Sequence, residues 1–193
     1  MKYFILFLFT AISFSGFSQS TVKVVIHSKA NYQGYESFAD QAAITLERVL
    51  NSPNFKTEIL NGQFTETNGL SNQMIFDQIM KAHEVNGQGG QNSVVDLRVR
   101  TMTRAEDGRR WMRNCRLDSW AGTIGKDGGA SGICATCPQS LELWQSTSDT
   151  ASLPAHYMHE YMHILGFSHY GRKSTSLVYK VGDIIEKLVK QGI

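Results

Sequence analysis

The chain has 193 residues, with 19 Lys and Arg against 17 Asp and Glu and a formal net charge of +2. A balance this close to neutral excludes the basic excess of a nucleic-acid-binding face. The length bounds the chain to a single domain with one adequate core.

In chain order, residues 1–18 read as a secretory signal peptide. Lys2 supplies the charged start, residues 3–14 the apolar run, and Gly16 and Ser18 the small residues of a cleavage region. That run is too short for a comfortable membrane span, and no other stretch is apolar enough to cross a bilayer. No cysteine lies near the cleavage region, which argues against a lipoprotein anchor. Residues 19–193 are then one mature domain, secreted or periplasmic, with Lys2 the only charge removed.

Residues 21–28 alternate and are β-branched, so they predict a first strand. Phe38, Ala42, Leu46, Val49 and Leu50 recur at helical spacing and predict a helix over 38–51. Residues 55–60 read as a second strand, ended by Asn61-Gly62. Met74, Ile75, Ile79 and Met80 place a helix over 71–85. Val95, Leu97 and Val99 alternate with Arg98 and Arg100, predicting a strand over 93–104. Asp107-Gly108 is a hairpin signal that returns the chain through 109–117. Its four arginines, Arg109, Arg110, Arg113 and Arg116, read as a solvated basic arm, with docking of an acidic partner as the alternative. Residues 120–125 are the candidate sheet edge, where glycines permit close backbone approach. A glycine-rich loop follows at 127–132. Leu141-Glu142-Leu143-Trp144 reads as a short strand, and Ile184, Ile185, Leu188 and Val189 mark a C-terminal helix over 181–190.

An odd cysteine count in a secreted chain predicts one disulfide and one free thiol, or a link between chains. Cys115 is expected to pair with Cys134 or Cys137. Reading Cys134-Ala135-Thr136-Cys137 as a redox or metal pair is less consistent with its flanking Gly132 and Pro138.

The chemistry concentrates in residues 159–169, which read H-E-x-x-H-x-x-G-x-x-H. Residues four apart share one helix face, so the imidazoles of His159 and His163 can reach one metal ion. Gly166 can end the helix in a left-handed conformation, letting the chain turn back with His169 as a third nitrogen. Ser152 is placed to cap the helix start, and Pro154 falls harmlessly in its first turn. Three protein ligands and an open position are the pattern of a catalytic zinc rather than a structural one. Glu160 is placed to take a proton from a zinc-bound water. His156 shares the helix and reads as a neighbour of the site, because three imidazoles already leave the substrate position open. Glu186 could serve as a distal ligand, but His169 makes it unnecessary.

This extended motif resembles the metzincin clan of zinc endopeptidases, most closely its matrixin-like and small bacterial secreted members. The resemblance implies His159, His163 and His169 as zinc ligands and Glu160 as general base. It also implies a tight turn beneath the metal. The matching stretch is Ser176-Leu177-Val178-Tyr179, with Val178 or, one register over, Leu177 where the clan has methionine. Tyr179 resembles the tyrosine some members place near the metal, with plain packing as the alternative. Asp127 and its glycines resemble a matrixin calcium loop, although the regular acidic spacing of a calcium site is missing.

The implied fold is α+β and zincin-like: a twisted, mixed, mostly parallel sheet with an antiparallel edge strand, an active-site helix and a C-terminal helix. The implied function is a secreted, monomeric zinc-dependent endopeptidase. Its protein or peptide substrate lies as an extended strand along a sheet edge. Two competing readings are a zincin scaffold that binds or adheres without turnover, and a toxin-like protease with one narrow target. The complete Glu160 pattern argues against the first.

Overall fold

In the computed structural model, the described residues are 21–84, 91–115, 123–124, 132–170 and 173–193. The expected signal peptide, the calcium-like loop at Asp127, Arg116 and most of 120–125 lie outside them. The chain combines α and β structure. Strands β1 (Lys23–Ala30), β2 (Val94–Thr101), β3 (Thr123–Ile124) and β4 (Ile133–Thr136) form one sheet in the order β1-β2-β4-β3. β1, β2 and β4 run parallel, and the two residues of β3 pair antiparallel with β4.

β2 is central because its sequence allows it. Val95, Leu97, Val99 and Thr101 are buried while Asp96, Arg98 and Arg100 alternate outward, the period-2 pattern of a strand with one face on a core. The start of the outer edge of β1 is held by two side chains at the end of α1 (Glu36–Leu50), Glu47 within it and Asn51 just beyond it. Val22 N–H donates to Asn51 Oδ1 at 2.9 Å and Val24 N–H to Glu47 Oε2 at 2.9 Å. Unpaired strand groups are thereby satisfied without another strand.

Three segments expected to be extended are helical. Residues 55–60 belong to α2 (Pro53–Asn61), where Ser52 accepts a hydrogen bond from Phe55 N–H and proline opens the first turn. Phe55 and Ile59, four apart, are its buried pair. Asp107-Gly108 makes no hairpin. It joins α4 (Arg104–Asp107) to α5 (Arg109–Asn114), with Gly108 at φ +49 as the break. Asp107 is drawn back to Thr103 N–H and to the Arg100 guanidinium. Residues 141–144 lie in α6 (Pro138–Ser146), which buries Ser140, Leu141 and Trp144 and leaves Leu143 exposed. That is helical spacing, and Pro138 starts it. β4 went unpredicted because its four-residue Ile-Cys-Ala-Thr run is too short to show an alternating pattern. The helix expected over 71–85 is α3 (Asn72–Met80), capped by Ser71.

The core lies between the sheet and helices α1, α7 (Ser152–Ile164) and α8 (Leu177–Lys190). α7 is buried on almost every side, whereas α8 keeps one apolar face, with Leu177, Val181, Ile185 and Leu188 buried. The two helices meet closely at Gly182. A Cβ there would stand 3.3 Å from the Ala155 carbonyl oxygen and 3.5 Å from His159 Cβ. The stretch expected to turn beneath a metal instead opens α8: Ser176 is its N-cap, and Leu177 and Val178 are fully buried. They pack into the core as helix rather than as a turn.

Cys115 pairs with Cys137 across 22 residues, and Cys134 is free and buried. Cys134 sits in β4 within the main core, while Cys137 begins α6 beside Cys115 and Met102 in a second cluster. The disulfide therefore ties the end of α5 to the start of α6. A loop of this length is worth about 3 kcal/mol. The double variant Cys115→Ser/Cys137→Ser is expected to lose about that much stability in urea titration. A Gly182→Leu variant overpacks the α7–α8 contact and is expected to lose about 1–3 kcal/mol by the same measurement.

Candidate metal centre

α7 begins at an acid rather than at the serine expected to cap it. Asp149 Oδ1 accepts from Ala151 N–H at 2.9 Å and Ser152 N–H at 3.0 Å, and Oδ2 accepts from Ser152 Oγ at 2.6 Å. Ser152 is the first helical residue, and Pro154 lies in the first turn. Those three bonds, acting against a burial penalty, hold the Asp149 carboxyl below its usual range.

The other end of α7 closes in a left-handed glycine turn. Gly166 has φ +91. Its N–H donates to the His163 carbonyl at 3.0 Å, and Phe167 N–H donates to the Met162 carbonyl at 3.0 Å. This paired pattern is a Schellman cap, and Phe167 is buried as its apolar contact. The chain reverses, and His169 returns over the helix.

His159, His163 and His169 converge. One nitrogen from each lies within 4.8 Å of the other two. Ring centroids are 5.3 Å apart for His159–His163, 5.3 Å for His159–His169 and 4.9 Å for His163–His169. His163 Nδ1–H donates to the Phe167 carbonyl at 2.8 Å. A carbonyl only accepts, so Nε2 is left with its lone pair toward the cluster. Burial pushes all three imidazoles toward the neutral form. His159 is brought down to about 2, by burial first and then by the neighbouring His163, His156, His169 and Lys173. His163 and His169 are lowered mainly by burial, opposed by the Phe167 carbonyl and by Glu66 respectively. Three neutral imidazoles with converging lone pairs are a donor set that can hold a metal ion. Imidazole suits zinc, copper, nickel and iron alike.

Glu160 and Tyr179 join them. The Glu160 side chain is 1% exposed, with Oε1 3.9 Å from His159 Nε2. The Tyr179 ring, in the first turn of α8, lies 4.7 Å from His159 and 4.4 Å from His169. Burial and the charges of Glu160 and Glu66 raise its phenol, so it stays protonated. Lys173 Nζ stands 5.3 Å above the same ring, a cation–π distance.

His156 stands beside this group and outside the metal-competent cluster. Its Nε2–H donates to the Ala135 carbonyl of β4 at 3.2 Å, which leaves Nδ1 unprotonated 3.7 Å from Glu160 Oε1. Glu186 pairs with Lys190 near the end of α8 and plays no part here. Arg109 is exposed on α5, a helix rather than the arm of a hairpin.

Residues 65–68 went unrecognised from the sequence although they contact the site. Glu66 Oε1 accepts from Tyr170 N–H at 2.6 Å, and Asn68 Nδ2–H donates to the Gly166 carbonyl at 3.2 Å. The run Thr65-Glu66-Thr67-Asn68-Gly69 carries turn chemistry, which marks a loop and gives no sign of a partner 104 residues away.

His156 gives the apoprotein a pH dependence. Burial holds it down to about 4, against an ordinary value of 6.5, with the Ala135 carbonyl opposing. The unfolded chain binds this proton first, so the stability is present above pH 6.5 and falls as the pH drops toward about 4. Chelator-treated protein is expected to lose on the order of 3 kcal/mol across that window from this group. Urea titration of His156→Leu is expected to show a shallower fall.

No family model matches the chain, and neither a curated protein nor a solved structure matches it.

Proposed function

We propose that this chain is a secreted zinc-dependent endopeptidase of the metzincin type, hydrolysing peptide bonds with Glu160 as general base. The observation that carries the reading is the convergence of three neutral imidazoles with a buried carboxylate 3.9 Å from one of them. Supporting it are the H-E-x-x-H-x-x-G-x-x-H spacing, a mostly parallel sheet beside α7, and a C-terminal helix underneath. The Cys115–Cys137 disulfide agrees with an oxidising compartment, and no helix among the described residues is long and apolar enough to cross a membrane. Residues 1–18 are the proposed signal peptide, and residues 19–193 the catalytic domain.

In this reading His159, His163 and His169 hold the zinc. Zinc when bound supplies Lewis acidity toward the scissile carbonyl and lowers the pKa of water. Glu160 accepts the proton of the attacking water and passes it to the leaving amine nitrogen. His156, unprotonated at the nitrogen facing Glu160, puts no opposing positive charge beside that carboxylate. Tyr179 donates its phenol hydrogen to the developing oxyanion. The substrate binds as an extended strand. Asn51 and Glu47 take the Val22 and Val24 N–H groups at the start of the β1 edge, which favours the β3 end of the sheet for this role.

Metal analysis of the purified protein is expected to find one zinc per chain. A peptide-library digest is expected to be cleaved, and a chelator to stop it. Glu160→Gln is expected to keep the zinc and lose about 10²–10⁴-fold in kcat. Zinc-loaded wild type that cleaves neither the library nor an unfolded protein would leave a binding scaffold as the better description. Cleavage of a single target alone would indicate the narrow protease.

A further inference from the structure

The third ligand sits where the chain has least support of its own. His159 and His163 are fixed by α7, but His169 lies on an irregular segment beyond the Gly166 turn. Metal affinity depends on holding all ligands in place before the ion arrives. Something must therefore hold the 166–170 loop.

We propose that residues 65–68 clamp that loop, and that the Glu66 carboxylate is the positioning group that keeps His169 over the other two imidazoles. This inference rests on the metal-site reading and adds to it a residue from a distant part of the chain.

Two hydrogen bonds bracket the ligand. Asn68 Nδ2–H donates to the Gly166 carbonyl at 3.2 Å on one side, and Tyr170 N–H donates to Glu66 Oε1 at 2.6 Å on the other. A carboxylate accepting from a backbone N–H is the stronger of these, since the acceptor is charged. The clamp is itself anchored. Thr65 N–H donates to the Thr175 carbonyl at 2.9 Å, and Leu177 N–H donates to the Thr65 carbonyl at 3.0 Å. Together they form a parallel bridge between Thr65 and Ser176 at the start of α8. The segment thus joins the α8 turn that carries Tyr179 to the loop that carries His169.

The backbone shows what holding this shape demands. Glu66 has φ +62 and Asn68 φ +53, a left-handed conformation that asparagine tolerates and glutamate rarely adopts. Glu66 keeps it between Thr65, bridged to the start of α8, and Asn68, bonded to the Gly166 carbonyl. Glu66 is not itself a ligand, because the metal-competent group among the described residues is the three histidines alone.

The test is Co²⁺ titration of metal-free protein against a chromophoric chelator, with the visible Co²⁺ absorption recorded and apoprotein stability measured alongside. Glu66→Ala removes the acceptor and is expected to weaken Co²⁺ binding about 10-fold or more, with a changed absorption band. Glu66→Gln keeps a carbonyl acceptor and is expected to recover most of that loss. Asn68→Gly preserves the left-handed backbone while removing the donor. It is expected to weaken binding in the same direction, and it carries the test if Glu66→Ala fails to fold. Unchanged Co²⁺ affinity in Glu66→Ala, or in Asn68→Gly, would overturn the clamp. So would a Glu66→Gln loss as large as that of Glu66→Ala, since charge and not the hydrogen bond would then be responsible. Wild-type protein that takes up no Co²⁺ would sink the metal centre, and the clamp with it.

Discussion

The site depends on a reversal of the chain at one glycine. Gly166 at φ +91 ends α7 and sends His169 back across the helix it has just left. An L-residue there would meet a left-handed penalty of roughly 1–2 kcal/mol. The turn also does more than end the helix. His163 gives its carbonyl to Gly166 N–H and its ring Nδ1–H to the Phe167 carbonyl. The same few residues close α7, orient the His163 ring and launch His169. Without the reversal, two imidazoles on one helix face would be a pair of ordinary buried histidines.

Around this turn the fold gathers groups that resist burial. His156, His159 and His163 are lowered chiefly by loss of solvent, and the Cys134 thiol and Tyr179 phenol are raised by the same cause. Burial therefore makes the imidazoles neutral, which is the form that binds metal. It also keeps Cys134 a thiol, with the Glu160 charge acting in the same direction. The close approach at Gly182 completes the arrangement. It lets α8 lie against α7 at the level of His159 and sets the Tyr179 ring against those of His159 and His169.

Local pattern was a good guide where one element satisfies itself. The β2 alternation, the apolar spacing of α1 and the helix and glycine turn within 159–169 match the structure because periodicity and backbone freedom are properties of a short window. Reading failed where capping outweighed composition. Ser52-Pro53 and Pro138 start helices in segments whose side chains looked extended, and Asp107-Gly108 serves a helix junction instead of a hairpin. The expected turn at 176–179 was also misread. Leu177 and Val178 are buried in the first turn of a helix instead.

Sequence spacing alone settled that His159 and His163 share a face, that Gly166 can turn the chain, and that Glu160 lies next to His159. Those relations follow from helix geometry and need no distant partner. Folding settled the rest. It made Cys137 rather than Cys134 the partner of Cys115, put His156 between β4 and Glu160, and laid residues 65–68 against the His169 loop. Each of these joins segments far apart in the chain, and no local periodicity records which distant surface a polar side chain will meet.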